Sequence, residues 1–206
     1  MSLILLLEGH TEHRALQNFL RRWFDAEVGR PVRLRTINLK GSGNYVRELQ
    51  RKVSLFLENY PDTCGIFGLV DLYGLELPYP KDVRSAPERL RWAKNHLEQL
   101  AGSPLFRQHF AVHDVEAWLL SDPSLLRREV REALPKKAAN PETVNFRTPP
   151  GELLKQLYLS KANREYKKTV DGPNIFNKLD PHLAAEKCPA LGALLKDMLA
   201  VAKSEG

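Results

Sequence analysis

Leu3, Ile4, Leu5, Leu6 and Leu7 form an unbroken apolar run that stops at Glu8-Gly9 and leads into Thr11 and Glu12. A run this short and this apolar fits a strand buried on both faces, as in a parallel sheet covered by helices. Such sheets collect their ligand sites just beyond the carboxyl ends of their strands. Glu8 and Glu12 flank a flexible glycine at that place, where paired carboxylates suggest a metal site. Thr11 is placed to cap the helix that Glu12 begins.

The pattern continues down the chain. Residues 12–24 carry Ala15, Leu16, Phe19, Leu20 and Trp23 at helical spacing. Residues 32–39 read as a second strand, Lys40-Gly41-Ser42-Gly43 as a turn, and 44–60 as a second helix. A third apolar run, 65–70, ends in Asp71. Strand, helix, strand, helix, strand within about 70 residues predicts a parallel sheet with right-handed crossovers. The Pro-rich stretch 77–87 reads as a loop and 87–100 as a helix with proline in its first turn. Residues 106–112 read as a fourth strand leading into a short helix at 113–120. Beyond Pro123 the pattern turns helical at 123–134, 150–160 and 189–203, with 135–150 expected to be an exposed loop. The expected organisation is an α/β core over 1–122 and a helical C-terminal extension over 123–206, packed on that core.

No apolar stretch of the 206 residues approaches the roughly 18 needed to cross a bilayer. The first run lacks a basic leader and a small-residue cleavage site, so a signal peptide is not expected. Two cysteines, Cys64 and Cys188, make a disulfide framework or a thiolate zinc site improbable. A cytoplasmic protein without membrane attachment is expected. The net charge is +6, with basic clusters at 21–22, 30–40, 127–131, 136–137 and 161–168. Together these favour a polyanionic partner, because neutralised phosphates release counterions. Each cluster alone is also compatible with a solvated face.

Acidic residues recur at one topological place: Glu8 after the first strand, Asp71 after the third, Asp114 and Glu116 after the fourth. In a parallel sheet those ends share an edge, and carboxylates gathered there repel unless a cation intervenes. Hard oxygen ligands suit Mg²⁺ or Mn²⁺. Plainer roles exist for each. Glu8 can bind a neighbouring backbone N–H, Glu12 and Glu116 can sit in first helical turns, Asp71 can cap a turn, and Asp114 can cap a helix starting at Val115. His10, His13 and His113 match no closed zinc spacing, which leaves them surface or supporting roles. The amides of Lys40, Gly41, Ser42 and Gly43, at a glycine-rich helix start, can bind phosphate or form a plain turn. The Gly-Lys-Ser/Thr order of a Walker A motif is absent, so no NTPase is expected.

Glu8-Gly9 after an apolar strand, with Asp71 after a later one, resembles the TOPRIM domain of topoisomerases, primases and several nucleases. Glu8-Gly9-His10-Thr11-Glu12 is similar to the overcoming-lysogenization-defect (OLD) nuclease branch. Asp114-Val115-Glu116-Ala117-Trp118 and Lys168-Thr169 with Gly172 resemble small stand-alone TOPRIM-like proteins. The resemblance implies a TOPRIM-like sheet flanked by helices and a divalent-metal-dependent nuclease acting on DNA or RNA. It also suggests a bacterial defence system with an ATPase partner. It makes Glu8 and Asp71 ligands of one ion, Glu12 and Glu116 supports for a second, and Lys168 the lysine beside the scissile phosphate, with Lys161 and Lys167 behind it. The chain departs from the family at Tyr73, where the second Asp of Asp-x-Asp would stand. Glu116 or Asp114 then completes the metal shell, or the shell is weakened. A nucleic-acid- or partner-binding module with a degenerate site, and a small-nucleotide phosphohydrolase, are the alternatives.

Overall fold

The computed structural model describes residues 2–72, 75–142 and 148–204, with the backbone alone at 10–14. Strands β1 (Ser2–Leu7), β2 (Arg33–Asn38), β3 (Thr63–Asp71) and β4 (Phe106–Ala111) alternate with helices α1 (His10–Val28), α2 (Ser42–Asn59) and α3 (Ala86–Ala101). They form one parallel four-stranded sheet in the order β2-β1-β3-β4. The fold is thus α/β, a parallel sheet flanked by helices.

β1 is fully enclosed because it lies inside the sheet with helices on both faces. Leu3, Leu5 and Leu7 enter one hydrophobic cluster, whereas Ile4 and Leu6 enter the other. Two-residue alternation divides the strand between two cores, which is why it reads as continuously apolar. Gly68 on β3 is required by close packing. A Cβ there would stand 2.0 Å from the Tyr45 hydroxyl and 2.5 Å from Gln108 Oε1. Those two groups hydrogen-bond at 2.8 Å.

After β4 come α4 (Glu116–Leu119), α5 (Arg128–Glu132), α6 (Pro150–Ala162), α7 (Asp171–Phe176), α8 (Pro181–Lys187) and α9 (Pro189–Ser204). Phe19 of α1 meets Phe176 edge-on at 5.8 Å, and Trp23 meets His182 at 4.7 Å. Residues of α6, α7, α8 and α9 share the hydrophobic cluster that holds Leu3, Leu5 and Leu7.

Several local expectations are corrected. α1 starts at His10, so Thr11 lies inside the first turn instead of capping it. The expected helix over 123–134 divides into a 3₁₀ turn, Pro123–Leu125, and α5. The expected exposed loop over 135–150 contains a second 3₁₀ turn, Lys136–Ala139, and a buried Ala138. The sequence pattern predicts neither α7 nor α8. α8 nevertheless carries a start signal, since Asp180 accepts the N–H groups of His182 and Leu183 ahead of Pro181.

Candidate functional site

The parallel sheet brings the ends of β1, β3 and β4 to one edge, and each presents a carboxylate there. Glu8 follows β1 directly. Its carboxyl accepts the backbone N–H groups of Asp71 and Ser42 and feels the Lys168 ammonium, yet burial still holds it above the usual carboxylate range. Glu8 Oε2 is buried and has no hydrogen-bond partner among the described residues. The backbone-binding role weighed for Glu8 is therefore real, and it leaves one oxygen over.

That geometry also engages three amides of the Lys40-Gly41-Ser42-Gly43 segment. Lys40 and Gly41 have positive φ, 61° and 105°, and Gly41 precedes α2 without a side-chain cap. The Lys40 N–H is taken by Asn38 Oδ1 and the Gly41 N–H by the Glu8 carbonyl. With the Ser42 N–H on the Glu8 carboxyl, the amides of residues 40–42 are engaged inside the protein. The Lys40 side chain is exposed.

The chain leaves β4 through His113, whose φ of 68° is rare for a residue with a Cβ and turns the backbone sharply into the site. Asp114 does not cap α4. Its Oδ2 accepts the Gly151 N–H at 3.0 Å, at the start of α6, while Oδ1 is buried without a partner among the described residues. Burial, and next the charge of Glu116, push the Asp114 carboxyl up to about 6, although the Gly151 N–H, Lys168 and His113 pull the other way. Glu116 is 3% exposed. Lys168 Nζ lies 3.1 Å from Glu116 Oε2, an ion pair outside hydrogen-bond geometry.

Asp71, His113, Asp114, Glu116, Tyr166 and Lys168 line one cavity of about 180 Å³, together with Pro149, Gly151, Glu152 and Lys155 at the start of α6. Three of the expected metal ligands thus meet: Asp71, Asp114 and Glu116. Glu8 stands beside Asp71 and is not among the lining residues. The Glu12 side chain and Tyr73 lie outside the described residues. Lys161 and Lys167 are exposed and do not line the cavity, while Lys168 does.

Lys168 is held by a tight loop. The Asp171 carboxylate pairs with Arg164 and accepts the Lys167 N–H at 2.7 Å, and the Asp171 N–H returns to the Lys167 carbonyl. The donor set suits a hard divalent cation: carboxylate oxygens, of which Asp114 Oδ1 and Glu116 Oε2 are buried without hydrogen-bond partners among the described residues. Among the described residues no three His, Cys, Asp or Glu side chains stand close enough to share one ion.

Sequence reasoning missed the cavity position of His113 and overlooked Tyr166 and the start of α6. The available signal was Pro149-Pro150-Gly151-Glu152, a helix-start pattern. Its pairing with Asp114, at a separation of 37 residues, is visible only in three dimensions. Among the described residues no helix is long and apolar enough to cross a membrane.

No curated protein and no solved structure matches the chain. One family does, over residues 7–199, a span from the end of β1 nearly to the end of α9. The chain belongs to that family, described as a domain of unknown function (DUF4276).

Proposed function

We propose that the chain is a TOPRIM-like nuclease that hydrolyses phosphodiester bonds in DNA or RNA with Mg²⁺ or Mn²⁺. One observation carries this reading. Asp71, Asp114, Glu116 and Lys168 line a single cavity at the carboxyl edge of a parallel sheet, and Asp114 Oδ1 and Glu116 Oε2 there are buried without a hydrogen-bond partner among the described residues. Mg²⁺ commonly takes one or two carboxylates and completes its shell with water and substrate oxygens. Asp114 and Glu116 would hold such an ion, with water and substrate oxygens completing its shell, and Asp71, supported by Glu8, would face the same cavity. When bound, the ion supplies Lewis-acid stabilisation of charge on the phosphate. Lys168 offsets further charge on the same group by exchanging Glu116 for a phosphate oxygen. The cavity volume, about 180 Å³, is below the roughly 300–1,000 Å³ that encloses a whole small ligand. It suits a phosphate whose nucleosides remain outside, which favours a polymer backbone over a mononucleotide.

The test is cleavage of labelled DNA and RNA oligonucleotides by Glu8→Gln and Glu116→Gln variants. Gln at position 8 keeps an acceptor for the Ser42 and Asp71 N–H groups while removing the charge. Expected is at least a ~100-fold loss in both variants, with wild-type activity abolished by chelation and restored by Mn²⁺. Full activity in either variant, or activity that survives chelation, refutes the assignment. The Lys168–Glu116 pair, with no three-ligand cluster among the described residues, favours a second reading, a nucleic-acid-binding module with a degenerate site. That module would show salt-sensitive binding in chelator and no turnover with any divalent ion.

A further inference from the structure

Tyr166 is 2% exposed and lines the cavity, yet its hydroxyl has no hydrogen-bond partner among the described residues. A buried phenol without a partner weakens a fold, and native proteins rarely keep one without a use. The protein spends structure on holding it there. The ring packs on Tyr158 at 5.3 Å, and the loop closed by Arg164 and Asp171 fixes the backbone on either side. Gly172 leaves the hydroxyl its room, since a Cβ at that position would stand 3.3 Å from it.

The surroundings define what the hydroxyl can bind. Burial, then the charges of Glu116, Asp171, Tyr158 and Asp114, drive its pKa far upward, so the group is a proton donor at any working pH. Lys168 lines the same cavity beside Glu116, and Lys155 of α6 lines it too. The cavity lining thus combines carboxylates with ammonium groups and a neutral phenolic O–H. A cation-bound phosphate would match that pattern: the carboxylates would hold the cation, and the donors would meet the non-bridging oxygens.

We infer that the Tyr166 hydroxyl is a substrate-binding donor of this cavity, hydrogen-bonding a non-bridging oxygen of the bound phosphate. This rests on the reading of the cavity as a phosphodiester site and adds a residue to it. Recognition would then reach the backbone phosphate alone.

Tyr166→Phe deletes only the hydroxyl. Without ligand the variant should melt at the wild-type temperature or up to about 2–4 °C higher, because an unpartnered polar group is gone. Inorganic phosphate with Mn²⁺ should raise the melting temperature of the wild type, and this shift should be lost in the variant. Oligonucleotide cleavage should fall about 10- to 100-fold, the effect of one hydrogen bond to a charged oxygen. Loss of the phosphate shift in a protein that cleaves nothing would uphold the Tyr166 role and reject the nuclease reading. A variant that binds phosphate and cleaves like wild type, or that melts several degrees lower without ligand, would overturn the Tyr166 role alone.

Discussion

His109 on β4 is 6% exposed, and its Nε2 lies 3.2 Å from Asp197 Oδ2 on α9. Burial lowers its pKa to about 4, against the pull of Asp197. The imidazole is therefore neutral at pH 7, and the contact is not an ion pair there. Because the folded pKa lies below the unfolded value of about 6.5, the unfolded chain takes up the extra proton first. Stability from this group is present above about pH 6.5 and is lost as pH falls through 4. Relative to His109→Gln, the wild type should lose about 3 kcal/mol between pH 7 and 4, read from urea midpoints. A difference that stays constant over that range would show that the histidine is not held neutral. Nothing at residues 106–111 in the sequence announces this, since Phe-Arg-Gln-His-Phe-Ala reads only as a strand and its partner lies on α9.

At the scale of elements, helix ends account for residues that the sequence presents as loops or solvated charge. Glu142, in the segment expected to be exposed, caps α9. Its Oε2 accepts the Ala190 N–H at 2.7 Å, and its Oε1 accepts Leu191 N–H at 3.3 Å and Trp118 Nε1–H at 3.0 Å. Glu142→Ala strands these donors and should cost about 2–4 kcal/mol in urea unfolding, whereas a loss below about 0.5 kcal/mol would mean that water serves them equally well. Arg22 and Arg30, from the basic clusters at 21–22 and 30–40, and Lys187 outside those clusters work in the same way. Arg22 donates to the Phe176 and Leu179 carbonyls, Arg30 to Ala202 and Lys187 to Ser121. Basic side chains suit the carbonyl-rich ends of helices, so part of the charge is structural. The strands and the first three helices were legible because each carries its own hydrophobic period, whereas α7 and α8 are too short to show one.

Across the whole molecule, residues beyond 122 are not dispensable packing. Leu154, Leu191, Leu194, Leu195 and Met198 lie in one cluster with Leu3, Leu5, Leu16, Phe19 and Phe67. Exposing such side chains costs about 1.5–3 kcal/mol each, and a few of them exhaust a typical stability of about 5–15 kcal/mol. A 1–122 fragment should therefore show no cooperative thermal transition and should bind a hydrophobic dye. A sharp transition near that of the full chain would show that the first 122 residues stand alone. The sequence by itself determined the parallel sheet and the acidic strand ends. A strand buried on both faces must be apolar throughout, and its end must fall at the residue where polarity returns. Only the tertiary structure decided which carboxylates meet. It gave Glu8 to the amides of Ser42 and Asp71, aimed Asp114 at α6, and brought Lys168 and Tyr166 into the cavity. These are contacts between segments far apart in the chain, and no local period encodes them.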